Sequence, residues 1–431
     1  MHEPLALVAV AGVLFVYALA SGRLSTTPVS GPIVFVGAGL LLGPAGVDLI
    51  QPREDAELVR AVLEVALVLV LFTDAMGISS AALRRQDVVP IRLLAIGLPL
   101  TMLLGWGVAL GTLPSLALWE AALVGVILAP TDAALGLATI SNPRVPQLVR
   151  QSLNVESGLN DGMALPFFTL ALAAAVETAG AAGPGVVEVL VRSLVLSAVV
   201  GGAAGYGAGR LLRLARVRGW TGGVWGKIAV VAVALGGYGL ALAIEGSGFI
   251  AAWVAGLAFG TALRSRGVSS PANDVAGFAE DLGALFVALS YLAFGAVLLG
   301  PVLERLEPEP VLYGLLSLTI VRAIPVALAL RGSGLRRPTV AFVAWFGPRG
   351  LASVVFGLIA LEEAIPGIGL VADTVAATVG LSVLLHGVTS VWGSDRYGDW
   401  YARARAGVPL VESGTAPERP LRRRLPHVLE G

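Results

Sequence analysis

The chain has 431 residues, 56% hydrophobic and only 13% charged, where a soluble protein carries about 25% charged residues, so its solvent must be the lipid bilayer. With no cysteine and three histidines (His2, His386, His427), disulfide frameworks, iron–sulfur clusters and thiolate chemistry are excluded and a His-ligated metal site is disfavoured, so no bound cofactor is expected. Basic and acidic residues balance at 29 each, and no nucleic-acid partner is expected.

A helix crossing a hydrocarbon core of about 30 Å needs about 20 mostly apolar residues. Candidate spans in chain order are 5–22, 30–46, 58–78, 89–110, 115–141, 147–176, 186–212, 222–243, 248–264, 276–300, 310–330, 338–361 and 369–392. The first, "MHEPLALVAVAGVLFVYALA", lacks a basic leading region and a small-residue cleavage site, so it reads as a retained helix and not a signal peptide. Breakers such as "TTPVSGP", "GTLPS", "SNPRVP" and "RGSGLRRP" separate the spans. Basic residues alternate with this count. If the N-terminus lies outside, most of the 29 fall in inside segments, among them Arg84, Arg85, Arg144, Arg150, Arg213 and Arg336. Only Arg53, Arg60 and Arg305 fall in the outside ones, beside acidic stretches such as "EDAE" and "LEE". Residues 394–431 are Arg/Pro-rich and read as a short cytoplasmic tail near anionic lipid.

Ionised groups inside the bilayer cost about 2.5–3.5 kcal/mol each on insertion scales, so they are kept where they pair or face an aqueous cavity. Asp132, Glu156, Asp161, Arg322 and Arg349 fall within spans, with Glu64 and Asp74 in the third. Any one pair could serve only to hold helices together. So many, spread over several helices, point to a site. In "LNVESGLNDGMALPFF" helical spacing stacks Glu156 over Asn160 and Ser157 over Asp161, a face able to replace the oxygen shell of a hard cation or hold a proton. Gly158 and Gly162 thin the same helix, inviting another backbone to approach.

Two spans are interrupted at their middles: "APTDAALG" (129–136) and "GPRG" (347–350). They lie seven helices apart, and an odd offset gives opposite orientations, as an inverted repeat requires. The expected result is two discontinuous helices that cross, with Asp132 at helix N-termini and Arg349 at helix C-termini. Pro130 would free carbonyls near Thr131 to face an ion. A proline-kinked helix without an ion site is the plain alternative.

"PTDAALG" (130–136), "NPRVPQLVRQSLNVESGLND" (142–161), "IVRAIP" (320–325) and "FGPRGLASVVFG" (346–357) resemble the monovalent cation:proton antiporters of the NhaP and Na⁺/H⁺ exchanger branch, along essentially all of 1–393. The resemblance implies an all-α, inverted-repeat membrane fold of about 13 helices and a secondary transporter, not an enzyme. It also implies a homodimer in the cell membrane of a prokaryote. The core would comprise about 89–176 and 310–392, and the dimerising scaffold about 5–78 and 222–300. It implies that Asp161 alternately binds cation and proton, with Asn160 beside it. Thr131 and Ser157 would offer oxygens to the ion and Asp132 would stabilise the crossing. Asp74 stands where the family usually has a glutamate, Glu156 and Arg322 match its buried ion pair, and Arg349 matches the arginine of its "LRG" signature. Ala133, Gly158 and Pro348 depart from the common pattern. Electroneutral exchange of Na⁺, or of Li⁺, for H⁺ is the expected activity. A K⁺/H⁺ antiporter on the same machinery and a sodium-coupled organic-anion symporter are the alternatives. A membrane enzyme or a channel finds no motif.

Overall fold

The computed structural model describes residues 3–24, 27, 29–51, 56–78, 88–180, 185–264, 271–305, 307–406 and 410–414. Among these, helix overlies every span expected from the sequence. We number them α1 (Glu3–Leu24), α2 (Gly31–Leu42), α3 (Ala56–Gly77), α4 (Val88–Thr112), α5a (Leu118–Ile127) and α5b (Leu137–Ser141), and α6 (Gln147–Thr178). Then follow α7 (186–217), α8 (Gly223–Leu242), α9 (Gly248–Leu263), α10 (271–304), α11 (Pro308–Ala329), α12a (Arg337–Trp345) and α12b (Leu351–Leu361), and α13 (Ile368–Arg405). Eight described helices are long and apolar enough to cross a membrane, and four more are apolar but shorter. The backbone in lipid must satisfy its own hydrogen bonds, which is why apolar runs of this length become helices. Arg53, Arg84, Arg85, Arg266 and the tail beyond 414 lie outside the described residues.

The helices pack as two bundles. In the first, α2 and α3 lie on α10, α3 lies on α9, and α7, α8 and α9 pack on one another. Small residues make this possible: Gly201 and Gly205 of α7 sit against the backbone of Ala251 and Ala255, and Gly256 and Gly260 of α9 against the carbonyls of Phe72 and Met76. In the second, α5a lies between α4 and α6, and α13 packs on both α11 and α12b. α4 and α11, seven helices apart, each contain a π turn (Leu93–Gly97 and Ser317–Val321), and they touch there.

One expectation changes at the C-terminal end. The last helix does not stop near 392 but runs unbroken to Arg405. Its extension has a face to bury: Ser394, Tyr397 and Gly398 point inward, and Arg144 reaches from the α5b–α6 connection to Asp395 (3.3 Å) and Asp399. Beyond it, the buried Glu412 carboxylate accepts hydrogen bonds from the Arg336 N–H and the Thr339 hydroxyl, both 2.8 Å, at the start of α12a. The first part of the expected tail is therefore folded structure.

Candidate ion-exchange site

Neither interrupted span is a kinked continuous helix. α5a ends at Ile127 and α5b begins at Leu137, while α12a ends at Trp345 and α12b begins at Leu351. The two breaks meet, with the Asp132 N–H donating to the Pro348 carbonyl at 2.7 Å and the Ser353 hydroxyl to the Ile127 carbonyl at 2.7 Å. Each break then supplies the charge that the other's helix end lacks. The C-terminal end of α5a carries partial negative charge, and the fully buried Arg349 donates to the carbonyls of Ala129 and Pro130 just beyond it. The first N–H groups of α12b carry partial positive charge, and Asp132 Oδ2 accepts from Leu351 N at 2.9 Å. Asp132 Oδ1 accepts from Ala134 N (2.6 Å) and Leu135 N (3.1 Å), and Oδ2 also from the Tyr291 hydroxyl (2.8 Å). Arg349 N donates to Ser382 Oγ (2.7 Å), and His386 Nε2 donates to the Trp345 carbonyl (2.9 Å) at the end of α12a.

This geometry corrects one expectation. The carbonyls of Ala129 and Pro130, which lie in the break beyond α5a, face the Arg349 guanidinium and not an ion. A guanidinium, with several fixed donors, answers two carbonyls at once.

Beside the crossing runs α6, whose polar face divides in two. Glu156 turns to Arg322 of α11 as a two-pronged pair, Arg322 Nη1–Glu156 Oε1 at 2.5 Å and Nη2–Oε2 at 2.9 Å, with both residues 2% exposed. Ser157 and Asn160 turn instead to Thr131 in the first break: the two hydroxyls share a 3.0 Å hydrogen bond, and Asn160 Nδ2 donates to Thr131 Oγ1 at 2.6 Å. Asp161, 8% exposed, stands one turn beyond Ser157. Asp74 of α3 reaches the same helix, its carboxylate lying against Gly158. Glu64 serves elsewhere, accepting from Arg60 (2.7 Å) and from the Tyr238 hydroxyl (2.9 Å).

A second correction concerns the thinned helix. Gly158 and Gly162 admit side chains and not a backbone: Asp74 at the first, the Trp253 indole of α9 at the second. A Cβ on Gly162 would run into that ring, which cannot swing aside like a flexible chain end. Overpacking costs about 1–3 kcal/mol. Gly162→Ala should therefore lower the melting temperature in detergent and depress transport, and adding Trp253→Leu should recover most of the loss. Equal melting temperatures for Gly162→Ala and wild type would show that the indole yields.

Sequence reasoning missed Tyr291, Trp253 and Glu120. The last is buried and accepts from Ala117 N (2.8 Å) at the start of α5a and from Gly367 N (2.9 Å) before α13. Its position in the first turn of the fifth span was a legible capping signal. The aromatic residues carried no signal that separates them from lipid-facing ones.

Two broken helices that cross, cap each other's ends and hold carboxylates beside the crossing define an ion-coupled membrane transporter of the inverted-repeat type. The chain belongs to the sodium/hydrogen exchanger transmembrane family, whose pattern matches residues 10–392. It is similar to the K(+)/H(+) antiporter NhaP of Alkalimonas amylolytica, 26% identical over 383 residues, covering 88% of this chain and 64% of the relative. It is likewise similar to the K(+)/H(+) antiporter NhaP2 of Shewanella oneidensis, 26% identical over 367 residues, covering 83% of this chain and 61% of the relative. The chain thus spans less than two thirds of the length of these curated relatives. Its fold matches the structure of the sodium proton antiporter MjNhaP1 from Methanocaldococcus jannaschii at pH 8, with TM-score 0.71 and 21% identity, covering 91% of this chain and 99% of that one. An electron-microscopy structure of the same antiporter gives TM-score 0.76 at 20% identity, covering 95% of this chain and all of that one.

Proposed function

We propose that the protein exchanges a monovalent cation, Na⁺ or Li⁺, for H⁺ across the cell membrane by alternating access, with Asp161 as the carboxylate that carries either ion. The observation that supports this reading is the hydrogen-bonded cluster of Thr131, Ser157 and Asn160 beside the crossed breaks, with the buried Asp161 next to Asn160 in the chain and one turn beyond Ser157 on the same helix. Asp161 holds the ion while ionised and gives it up on protonation. Thr131, Ser157 and Asp74 supply further oxygens. Asn160 orients Thr131 through its amide. Asp132 and Arg349 keep the crossing rigid, and Glu156 with Arg322 ties α6 to α11. The second bundle moves against the first, carrying the crossing with it. No cofactor takes part, since the ion gradient supplies the free energy.

We further infer a homodimer through the first bundle and an outside N-terminus, the latter from the placement of basic residues. The organic-anion alternative needs a cationic group available to a carboxylate, whereas Arg322 is taken by Glu156 and Arg349 by carbonyls.

With Asn160 beside Asp161, a single carboxylate cycles. It is neutral when protonated and neutralised when it holds one monovalent cation, so exchange is one for one and carries no net charge. The test is proton movement in proteoliposomes on adding Na⁺, Li⁺ or K⁺ at several imposed membrane potentials. Cation-driven proton flux independent of voltage is the expected result, and response to K⁺ alone would select the K⁺/H⁺ activity of the named relatives. Voltage-dependent exchange would show that a second group titrates, Asp132 first among them, and no response to any cation would overturn the reading.

A further inference from the structure

Asp132 receives four hydrogen bonds, and they do not all come from the same bundle. Ala134 N, Leu135 N and Leu351 N belong to the two breaks, so they travel with Asp132 wherever the crossing goes. The Tyr291 hydroxyl comes from α10, which packs on α2, α3 and α8 in the other bundle. Tyr291 is 2% exposed, so the donor side of the bond is shielded from bulk water, while Asp132 is partly buried. Gly350 is the reason the phenol can reach: a Cβ there would meet both Tyr291 Oη and Asp132 Oδ2.

Other polar contacts join the two bundles, and their character differs. Arg60 of α3 pairs with Glu362 after α12b, and Arg305 at the end of α10 pairs with Asp373 of α13 at 2.7 Å. Their arginine side chains are 46% and 63% exposed, so these pairs add little on their own. The phenol–carboxylate bond is part-buried, with its donor residue 2% exposed, and it ends on a carboxylate, which makes it the stronger tie.

We propose that Tyr291 is a positioning residue for ion exchange: it clasps Asp132 from the stationary bundle in the conformation described here and releases it in the opposite-facing one. Resting on the antiport reading, this makes the clasp a determinant of the ratio between the two access states. Asp132 remains satisfied by three backbone donors when the phenol withdraws, so release strands no buried charge. The bond therefore biases the equilibrium without blocking the motion.

The absence of cysteine from the chain allows a direct test. Cysteines replace Arg60 and Glu362, where the two bundles meet, and a short bis-thiol-reactive linker reports how often they are close. Tyr291→Phe keeps the ring and deletes only the hydroxyl. Losing a hydrogen bond to a charged acceptor should shift the ratio of states about tenfold. The rate of cross-linking is expected to fall, and the apparent KM for Na⁺ in proteoliposomes to shift by a similar factor, with little change in melting temperature. Unchanged cross-linking and unchanged KM overturn the proposal. Should Tyr291→Phe not fold, the linked Tyr291 protein decides: linkage should arrest exchange, and transport at the unlinked rate overturns the clasp. If the Tyr291 protein moves no protons on cation addition, the antiport reading fails instead, while the cross-linking comparison still reads the clasp.

Discussion

Asp161→Asn is expected to reduce cation-driven proton movement to the level of empty vesicles while the protein remains folded. Asparagine has nearly the shape of aspartate, so the packing around α6 survives. Neighbouring Asn160 keeps its 2.6 Å bond to Thr131, and Thr131 its bond to Ser157. What disappears is the one property exchange needs, a group that is anionic toward a cation and neutral when protonated. A neutral amide cannot alternate between those states at any pH in the working range. The loss should therefore not be recoverable by raising pH or cation concentration, unlike a change that merely weakens binding. Proton flux from reconstituted wild type and variant, with melting temperatures measured alongside, checks this. Wild-type flux from Asp161→Asn would remove Asp161 from the exchange step.

The second large effect belongs to stability. Glu156 and Arg322 bury opposite charges with two matched hydrogen bonds, far from water. Such a pair is costly to desolvate, so its net contribution is small, but removing one member strands the other charge. That costs roughly 3–5 kcal/mol. Glu156→Ala and Arg322→Ala should each lower yield and melting temperature sharply. Arg322 also lies directly against Gly347 in the second break, so a stranded guanidinium would disturb the crossing. Replacing both members with methionine leaves no unpaired charge and should restore much of the stability. The pattern to measure is strong non-additivity: two damaging single changes and a milder double. A Glu156→Ala protein of normal stability but without transport would instead place this carboxylate in the ion path.

By itself the sequence determined the secondary structure and the inventory of buried charge. Runs of about 20 apolar residues had one way to satisfy their backbone in lipid, and so they became helical outside the two breaks. Pro130 and Pro348 marked the two breaks because each stands beside a charged residue and glycine or threonine at mid-span, whereas Pro166 and Pro325, which also lack a helical donor, sit inside continuous helices. Motif resemblance also matched Glu156 to Arg322, two residues expensive enough in lipid to demand each other. What the tertiary structure alone decided is which groups meet across distant parts of the chain. Arg349 could have faced a ligand or a carboxylate, and only the crossing directs it to the carbonyls of Ala129 and Pro130. Tyr291 and Trp253 look like any aromatic residues of an apolar span until α9 and α10 are set against α6 and the breaks. Periodicity along one helix reports which face is polar, whereas partner choice depends on the angle and height at which helices cross. The folding back of Glu412 onto α12a has the same origin: a lone acidic residue in a charged segment carries no mark of burial, and only the exposed N–H groups at the start of that helix make its burial favourable.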